Sequence, residues 1–72
     1  MTDLNTFISE TKKAAMESAT NYGWRYGQSV FNYVDHKYGV ARAIQFVHHV
    51  DCFYDDSKVD EFLTIAYRYL NS

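Results

Sequence analysis

The sequence predicts an all-α fold, a compact single domain of about four short helices within residues 1–72. Apolar residues recur at intervals of three and four along four segments, which is the period of an amphipathic helix. The sequence contains no proline, so no segment carries a residue that would break a helix. A chain of 72 residues is also too short to build two independent cores.

Helix 1 is predicted over residues 4–19. Thr2 or Asp3 can cap its N-terminus, because a side-chain oxygen there accepts a hydrogen bond from the first-turn amides. Its apolar stripe ends before Gly23, which gives the chain the freedom to turn.

Helix 2 is predicted over residues 24–38. Gly39 is expected to end it, because glycine is favoured just past the end of a helix. Gly27 lies within the apolar arc of this helix. A glycine inside a helix costs about 1 kcal/mol relative to alanine, so its presence there predicts a close crossing with another helix.

Helix 3 is predicted over residues 40–47, and residues 48–56 are expected to form an irregular loop. The helix 3 residues predicted to face inward are Val40, Ala43, Ile44 and Val47. Asp56 or Ser57 is the expected cap of helix 4, which is predicted over residues 58–70. Its apolar arc is wider than a surface helix needs. Helix 4 is therefore either the central helix, packed on helices 1 and 2, or a helix that offers one flank to a partner.

Charge and composition exclude several classes of protein. Seven Lys and Arg oppose nine Asp and Glu, for a formal net charge of −2. Binding to duplex DNA depends largely on basic side chains, so no direct nucleic-acid contact is predicted. No apolar run approaches the roughly 18–20 residues that span a bilayer, and no signal-peptide pattern begins the chain. We therefore expect a cytoplasmic protein with no membrane partner. The single cysteine, Cys52, agrees, because small secreted domains usually carry several.

The polar side of helix 2 is the most informative feature of the sequence. Arg25, Gln28 and Asn32 follow i, i+3 and i+7 spacing and share one face. In one interpretation this face is a clamp, in which Arg25 pairs with Asp51 or Asp56 and the amides hold the loop backbone. In the other interpretation the same face is a contact surface. The candidate binding residues are Arg25, Gln28, Asn32, Asp51 and Asp56.

Thirteen aromatic residues are too many for so small a domain to bury, so several rings must reach the surface, where tyrosine makes good interface contacts. The apolar and aromatic interface candidates are Tyr26, Tyr33, Ile65 and Tyr69. The acidic candidates are Asp55, Asp60 and Glu61, near the start of helix 4. There they either stabilise the helix by interacting with its dipole or form a binding face. A protein partner is expected, and a homo-oligomer is one form of it.

Residues 48–56 contain several potential metal ligands, namely His48, His49, Asp51, Cys52, Asp55 and Asp56. Their spacing matches no zinc motif and no EF-hand loop, so a solvated loop is preferred to a metal site. A thiolate at Cys52 would be disfavoured by the neighbouring carboxylates. We therefore predict no enzyme, no catalytic residue, no cofactor and no metal ion.

Two stretches, Arg25-Tyr-Gly-Gln-Ser-Val-Phe-Asn32 and Asp51-Cys-Phe-Tyr-Asp-Asp56, resemble a group of small bacterial and phage proteins. Their pattern is Arg-x-Gly-Gln-x-x-Phe-Asn, a short helix, Asp-Pro-Phe-Tyr-x-Asp and a final helix. The resemblance covers residues 24–66 and departs from the pattern at Cys52, where the group has proline. It implies a phage or mobile-element setting, and hence the host cytoplasm, but no reaction.

These observations favour a non-catalytic protein-interaction module that self-associates. One alternative is a phage counter-defence inhibitor of the anti-CRISPR kind, which would bind a host immune protein through an acidic or tyrosine-rich face. The other is a metal- or small-ligand-binding protein that uses residues 48–56.

Overall fold

The structure is a computed structural model that describes residues 3–71. Its helices are α1 (Leu4–Tyr22), α2 (Tyr26–Tyr38), α3 (Ala41–His48) and α4 (Val59–Leu70), with a 3-10 turn at Asp56–Lys58 before α4. Over the described residues there is no strand, so the predicted all-α fold of four helices is confirmed. No helix within residues 3–71 is both long and apolar enough to cross a bilayer.

The ends of α1 follow from local chemistry. Oδ1 of Asp3 accepts a hydrogen bond from the N–H of Thr6 at 2.7 Å, which confirms Asp3 as the cap. The alternative cap, Thr2, lies outside the described residues. The helix continues to Tyr22, three residues beyond the predicted end, and the left-handed Gly23 (φ 69°) ends it. Tyr22 then stacks on Trp24, with ring centroids 4.8 Å apart.

Helix α2 begins two residues later than predicted, because Arg25 is extended (φ −68°, ψ 157°). Gly39 ends it as expected, with φ 71° and an N–H directed at the carbonyl oxygens of Val34 and Asp35. Between these two ends, α2 contacts both α1 and α3, and its most extensive contact is with α1.

The core lies where α4 meets the other helices, and α4 contacts α1, α2 and α3. Val59, Phe62, Leu63 and Ala66 are buried along its inner face. The wide apolar arc predicted for this helix is therefore used mainly inside the fold. Ile65 and Tyr69, at its edge, pack against the core while staying partly exposed.

One of the residues predicted to face inward from α3 is exposed. Ala41 and Ile44 are its buried residues, whereas Val47 is 65 % exposed and not inward as predicted. The helix starts one residue later than expected and has only eight residues. Its buried face is therefore one short stripe, and Val47 lies outside it.

The predicted cap at the start of α4 was also wrong. The cap was predicted to be Asp56 or Ser57, but Asp55 performs that role for the 3-10 turn. Its Oδ1 accepts hydrogen bonds from the N–H of Ser57 at 3.0 Å and from the hydroxyl of Ser57 at 2.6 Å. Asp56 is used elsewhere, in a bond to α2 described below.

Candidate functional site

Arg25 joins the start of α2 to the segment between α3 and the 3-10 turn. Its Nη1 donates a hydrogen bond to the carbonyl oxygen of Tyr54 at 3.3 Å, and its Nη2 donates to the carbonyl oxygen of Phe53. The guanidinium carbon also lies 5.9 Å from the centroid of the Tyr54 ring. The guanidinium therefore holds main-chain oxygens, not the carboxylate of Asp51 or Asp56 that the sequence analysis offered as its partner.

Both carboxylates are already occupied by other donors. Asp56 Oδ1 accepts a hydrogen bond from the N–H of Gly27 at 2.9 Å. Asp51 accepts from the N–H of Phe53 at 2.8 Å and from Nε2 of Gln45 at 2.9 Å. Each aspartate thus holds backbone or a neighbouring helix, while the carbonyl oxygens of Phe53 and Tyr54 are the acceptors that lie next to the guanidinium.

Gly27 is the point at which this segment comes closest to α2. The thiol of Cys52 donates to the carbonyl oxygen of Gly27 at 3.4 Å. A Cβ atom at Gly27 would collide with the carbonyl oxygen of Cys52 and would lie 2.5 Å from Oδ1 of Asp56. The close approach predicted for this glycine therefore exists, but it is to the segment 52–56 and not to another helix.

The polar face of α2 is divided by the fold. Oε1 of Gln28 accepts a long hydrogen bond, 3.4 Å, from the N–H of Arg25 within the first turn. Asn32 lines a separate hollow beside Trp24 and His36. Of the five predicted binding residues, Arg25, Asp51 and Asp56 hold the segment 51–56, whereas Gln28 acts locally and Asn32 lies apart.

The clamped segment carries exposed rings. Tyr54 is 74 % exposed, and Phe46 on α3 is 72 % exposed. With Arg42 and Phe53 they border a hollow of about 220 Å3. Phe53 is anchored edge-on against Phe31, with centroids 5.5 Å apart, and its other neighbour is the Tyr54 ring at 4.8 Å. We call these four residues, Arg42, Phe46, Phe53 and Tyr54, the aromatic surface.

Sequence reasoning named none of the four residues of the aromatic surface, Arg42, Phe46, Phe53 and Tyr54, as site residues. A signal was present, because Phe46 does not belong to the apolar stripe of its helix and so had no predicted place in the core. Gln45, which bonds Asp51, was also missed. Its neighbours in sequence give no indication of that contact.

A second hollow of about 710 Å3 runs along α4, and we call it the α4 groove. Its lining residues are His48, Glu61, Thr64, Ile65, Arg68 and Tyr69. Three of them, Glu61, Ile65 and Tyr69, are predicted interface candidates. Tyr69 packs edge-on against His48, with ring centroids 5.7 Å apart, so the end of α3 forms one wall.

The remaining interface candidates lie at neither surface. Tyr26 and Tyr33 are half-buried against the core. Burial raises the pKa of Tyr26, and the hydroxyl of Tyr33 accepts a hydrogen bond from Lys37 at 3.1 Å. Asp60 pairs with Lys12, and that bond raises the pKa of the lysine. These side chains serve the fold of a single copy.

The segment 48–56 offers little chemistry of its own. Within residues 3–71, no three His, Cys, Asp or Glu side chains are grouped so that they could hold a metal ion. Burial, with a further contribution from Asp51, raises the pKa of Cys52 to about 12. A buried neutral thiol is a poor nucleophile, so this geometry gives no support to a thiolate or metal site.

Comparisons with protein-family models, with curated proteins and with solved structures find no match to this chain. An assignment of function therefore depends on the aromatic surface and the α4 groove.

Proposed function

We propose that the protein is a non-catalytic protein-interaction module that binds a partner through the aromatic surface. The observation that carries this proposal is the exposure of Phe46 and Tyr54 on backbone that is held in place. Large rings gain free energy when a partner covers them, and aromatic residues are enriched at interfaces. Isolated exposed apolar residues need no explanation, but a group around one hollow is typical of a binding site.

The hydrogen bonds that hold the segment 51–56 favour binding, because they order this segment before a partner arrives. Arg25 and Asp56 hold the backbone on either side of Tyr54 through the bonds described above. Ordering the backbone of a flexible loop costs about 1–2 kcal/mol per residue. Backbone that is already held does not add this cost when a partner binds.

The aromatic surface also indicates the chemistry of its partner. Its hollow has room for one apolar side chain. Arg42 at the rim is exposed and has no ion-pair partner within residues 3–71. We therefore propose a protein segment that presents one apolar side chain beside an acidic residue.

The experiment compares capture of a partner from a lysate of the source cells by three variants. Phe46→Ser and Tyr54→Ser each remove one exposed ring, and both are expected to lose the captured partner. Met16→Ser is the matched control, because Met16 is 58 % exposed on α1, away from the aromatic surface. Equal capture by all three variants, or no capture by the unaltered chain, would refute the proposal. Thermal unfolding of each variant shows whether the fold is retained.

The counter-defence alternative, and the phage setting from which it comes, remain predictions. Of its three acidic candidates, Asp55 and Asp60 each have a partner inside the chain, which leaves Glu61 alone to support the acidic form. A tyrosine-rich form that uses Tyr54 is tested by the lysate experiment above as well.

A further inference from the structure

We propose that the α4 groove binds the same groove of a second copy of this chain, with the two α4 helices antiparallel. The twofold axis passes between Thr64 and Ile65. This deepens the interaction role proposed above by naming one partner, but it uses a different surface, so either proposal can fail alone.

The charges on α4 support this pairing. Glu61 and Arg68 both line the groove and are seven residues apart, which is about two helical turns. In an antiparallel pair, Glu61 of each copy therefore faces Arg68 of the other, and the twofold axis makes this contact occur twice. A parallel pair would place like charges together, so the charge pattern selects the antiparallel arrangement.

Both charged side chains are available for such a contact. Arg68 is exposed and has no ion-pair partner within the described residues. Glu61 is exposed, and its one described cation, Lys58, is 3.9 Å away at the limit of an ion pair. An exposed pair at that distance contributes little and does not hold Glu61 in place.

The centre of the groove fits a close helix contact. The same register that aligns Glu61 with Arg68 also aligns Thr64 with Ile65 of the second copy. The hydroxyl of Thr64 donates a hydrogen bond to the carbonyl oxygen of Asp60 at 2.8 Å, so its burial leaves no donor unsatisfied. Ile65 is only partly buried within one copy, and it gains further burial when a second copy covers it.

The small outer face of α4 argues for a weak dimer. Helix α4 has 12 residues and is about 18 Å long, so its outer face is smaller than the ~800 Å2 per partner of a standard interface. We therefore expect a weak dimer, with a dissociation constant in the micromolar range, and a monomer–dimer equilibrium that depends on concentration.

The test is light scattering coupled to size exclusion, together with sedimentation equilibrium, from about 1 μM to about 1 mM, a range that brackets such an equilibrium. Glu61→Arg and Arg68→Glu should each raise the dissociation constant at least about tenfold, because each places like charges opposite each other. An equimolar mixture of these two variants should dimerise again, since every contact then joins opposite charges. The double variant Glu61→Arg with Arg68→Glu should also dimerise.

Matched controls separate this contact from a general effect of charge. Glu10→Arg and Lys13→Glu make the same kinds of change on the exposed side of α1 and should leave the equilibrium unaltered. Recovery in the mixture also excludes misfolding as the reason that a single variant is monomeric. The proposal is overturned if the unaltered chain stays monomeric, if the mixture fails to recover, or if the α1 variants dissociate the dimer equally.

Phe46→Ser distinguishes the two proposals. It should keep the dimer while losing the captured partner. If it dissociates the dimer while the α4 variants do not, the second copy binds the aromatic surface instead and the antiparallel α4 pairing is wrong.

Discussion

The N–H of Gly27 donates a hydrogen bond to Oδ1 of Asp56 at 2.9 Å, across 29 positions of sequence. This contact joins the first turn of α2 to the turn that starts α4. Together with the bonds from Arg25 to the carbonyl oxygens of Phe53 and Tyr54, it determines where the segment between α3 and α4 lies. The exposed rings of the aromatic surface depend on this placement.

Asp56→Ala should lower the free energy of unfolding by about 1–3 kcal/mol, because the N–H of the buried residue Gly27 then has no acceptor. Asp56→Asn keeps an oxygen at that position and should lose less. Urea unfolding measures both values. Glu10→Ala, on the exposed side of α1, is the reference and should change stability by less than about 0.5 kcal/mol. Equal effects of Asp56→Ala and Glu10→Ala would mean that the bond contributes nothing.

Gly27→Ala should destabilise the protein by about 1–3 kcal/mol, as overpacking does, although alanine is the better helix former by about 1 kcal/mol. The added Cβ would meet the carbonyl oxygen of Cys52, which is backbone and cannot rotate away. Gly39→Ala is the comparison, because that position has open space and only its left-handed φ of 71° opposes a side chain. A Gly27→Ala variant more stable than the original chain would show that the segment moves aside at little cost.

Arg25→Ala should expose the segment at Phe53 and Tyr54 to chymotrypsin, because two main-chain oxygens lose a charged donor. Loss of charge-assisted bonds of about 1.5 kcal/mol corresponds to roughly tenfold faster cleavage when cleavage follows local opening. Arg25→Lys should rescue only part of the protection, since an ammonium group lacks the planar fork of the guanidinium. Arg42→Ala is the control. If chymotrypsin cleaved Arg42→Ala as fast as Arg25→Ala, the bonds from Arg25 would not be what protects the segment.

Cys52 makes a specific contribution to the dependence of stability on pH. Burial raises its pKa from 9.0 to about 12, so above pH 9.0 the unfolded state loses the thiol proton before the folded state does. The contribution is therefore complete below pH 9.0 and is lost as the pH rises from 9.0 to about 12, by at most ~1.4 kcal/mol per unit.

The measurement for Cys52 is urea unfolding of the original chain and of Cys52→Ala between pH 7 and 11. The difference in stability between the two proteins should narrow above pH 9.0, because only the original chain has the thiol. A constant difference across this range would contradict the raised pKa. A thiol reagent should also modify the folded protein no faster than the segment 51–56 opens, since Cys52 is fully buried.

The number and type of the helices, and several of their ends, were predictable from the sequence. Asp3, Gly23 and Gly39 act within a few residues of their own position, through a cap or a left-handed φ. Such local effects depend on neighbours that the sequence displays directly. The burial of Phe62, Leu63 and Ala66 also followed from the helical period of apolar residues.

The partners of the polar residues could not be predicted, because they depend on how the helices pack. Arg25, Gly27 and Asp56 were identified from the sequence, but their bonds join positions about 29 residues apart, and many pairings satisfy the same donors and acceptors. The pattern placed Val47 on the inward face, but the structure leaves it exposed, because α3 is short and its register depends on what packs beneath it. Spacing along a chain reports on contacts within one or two helical turns, whereas the choice among distant partners follows from how the helices pack.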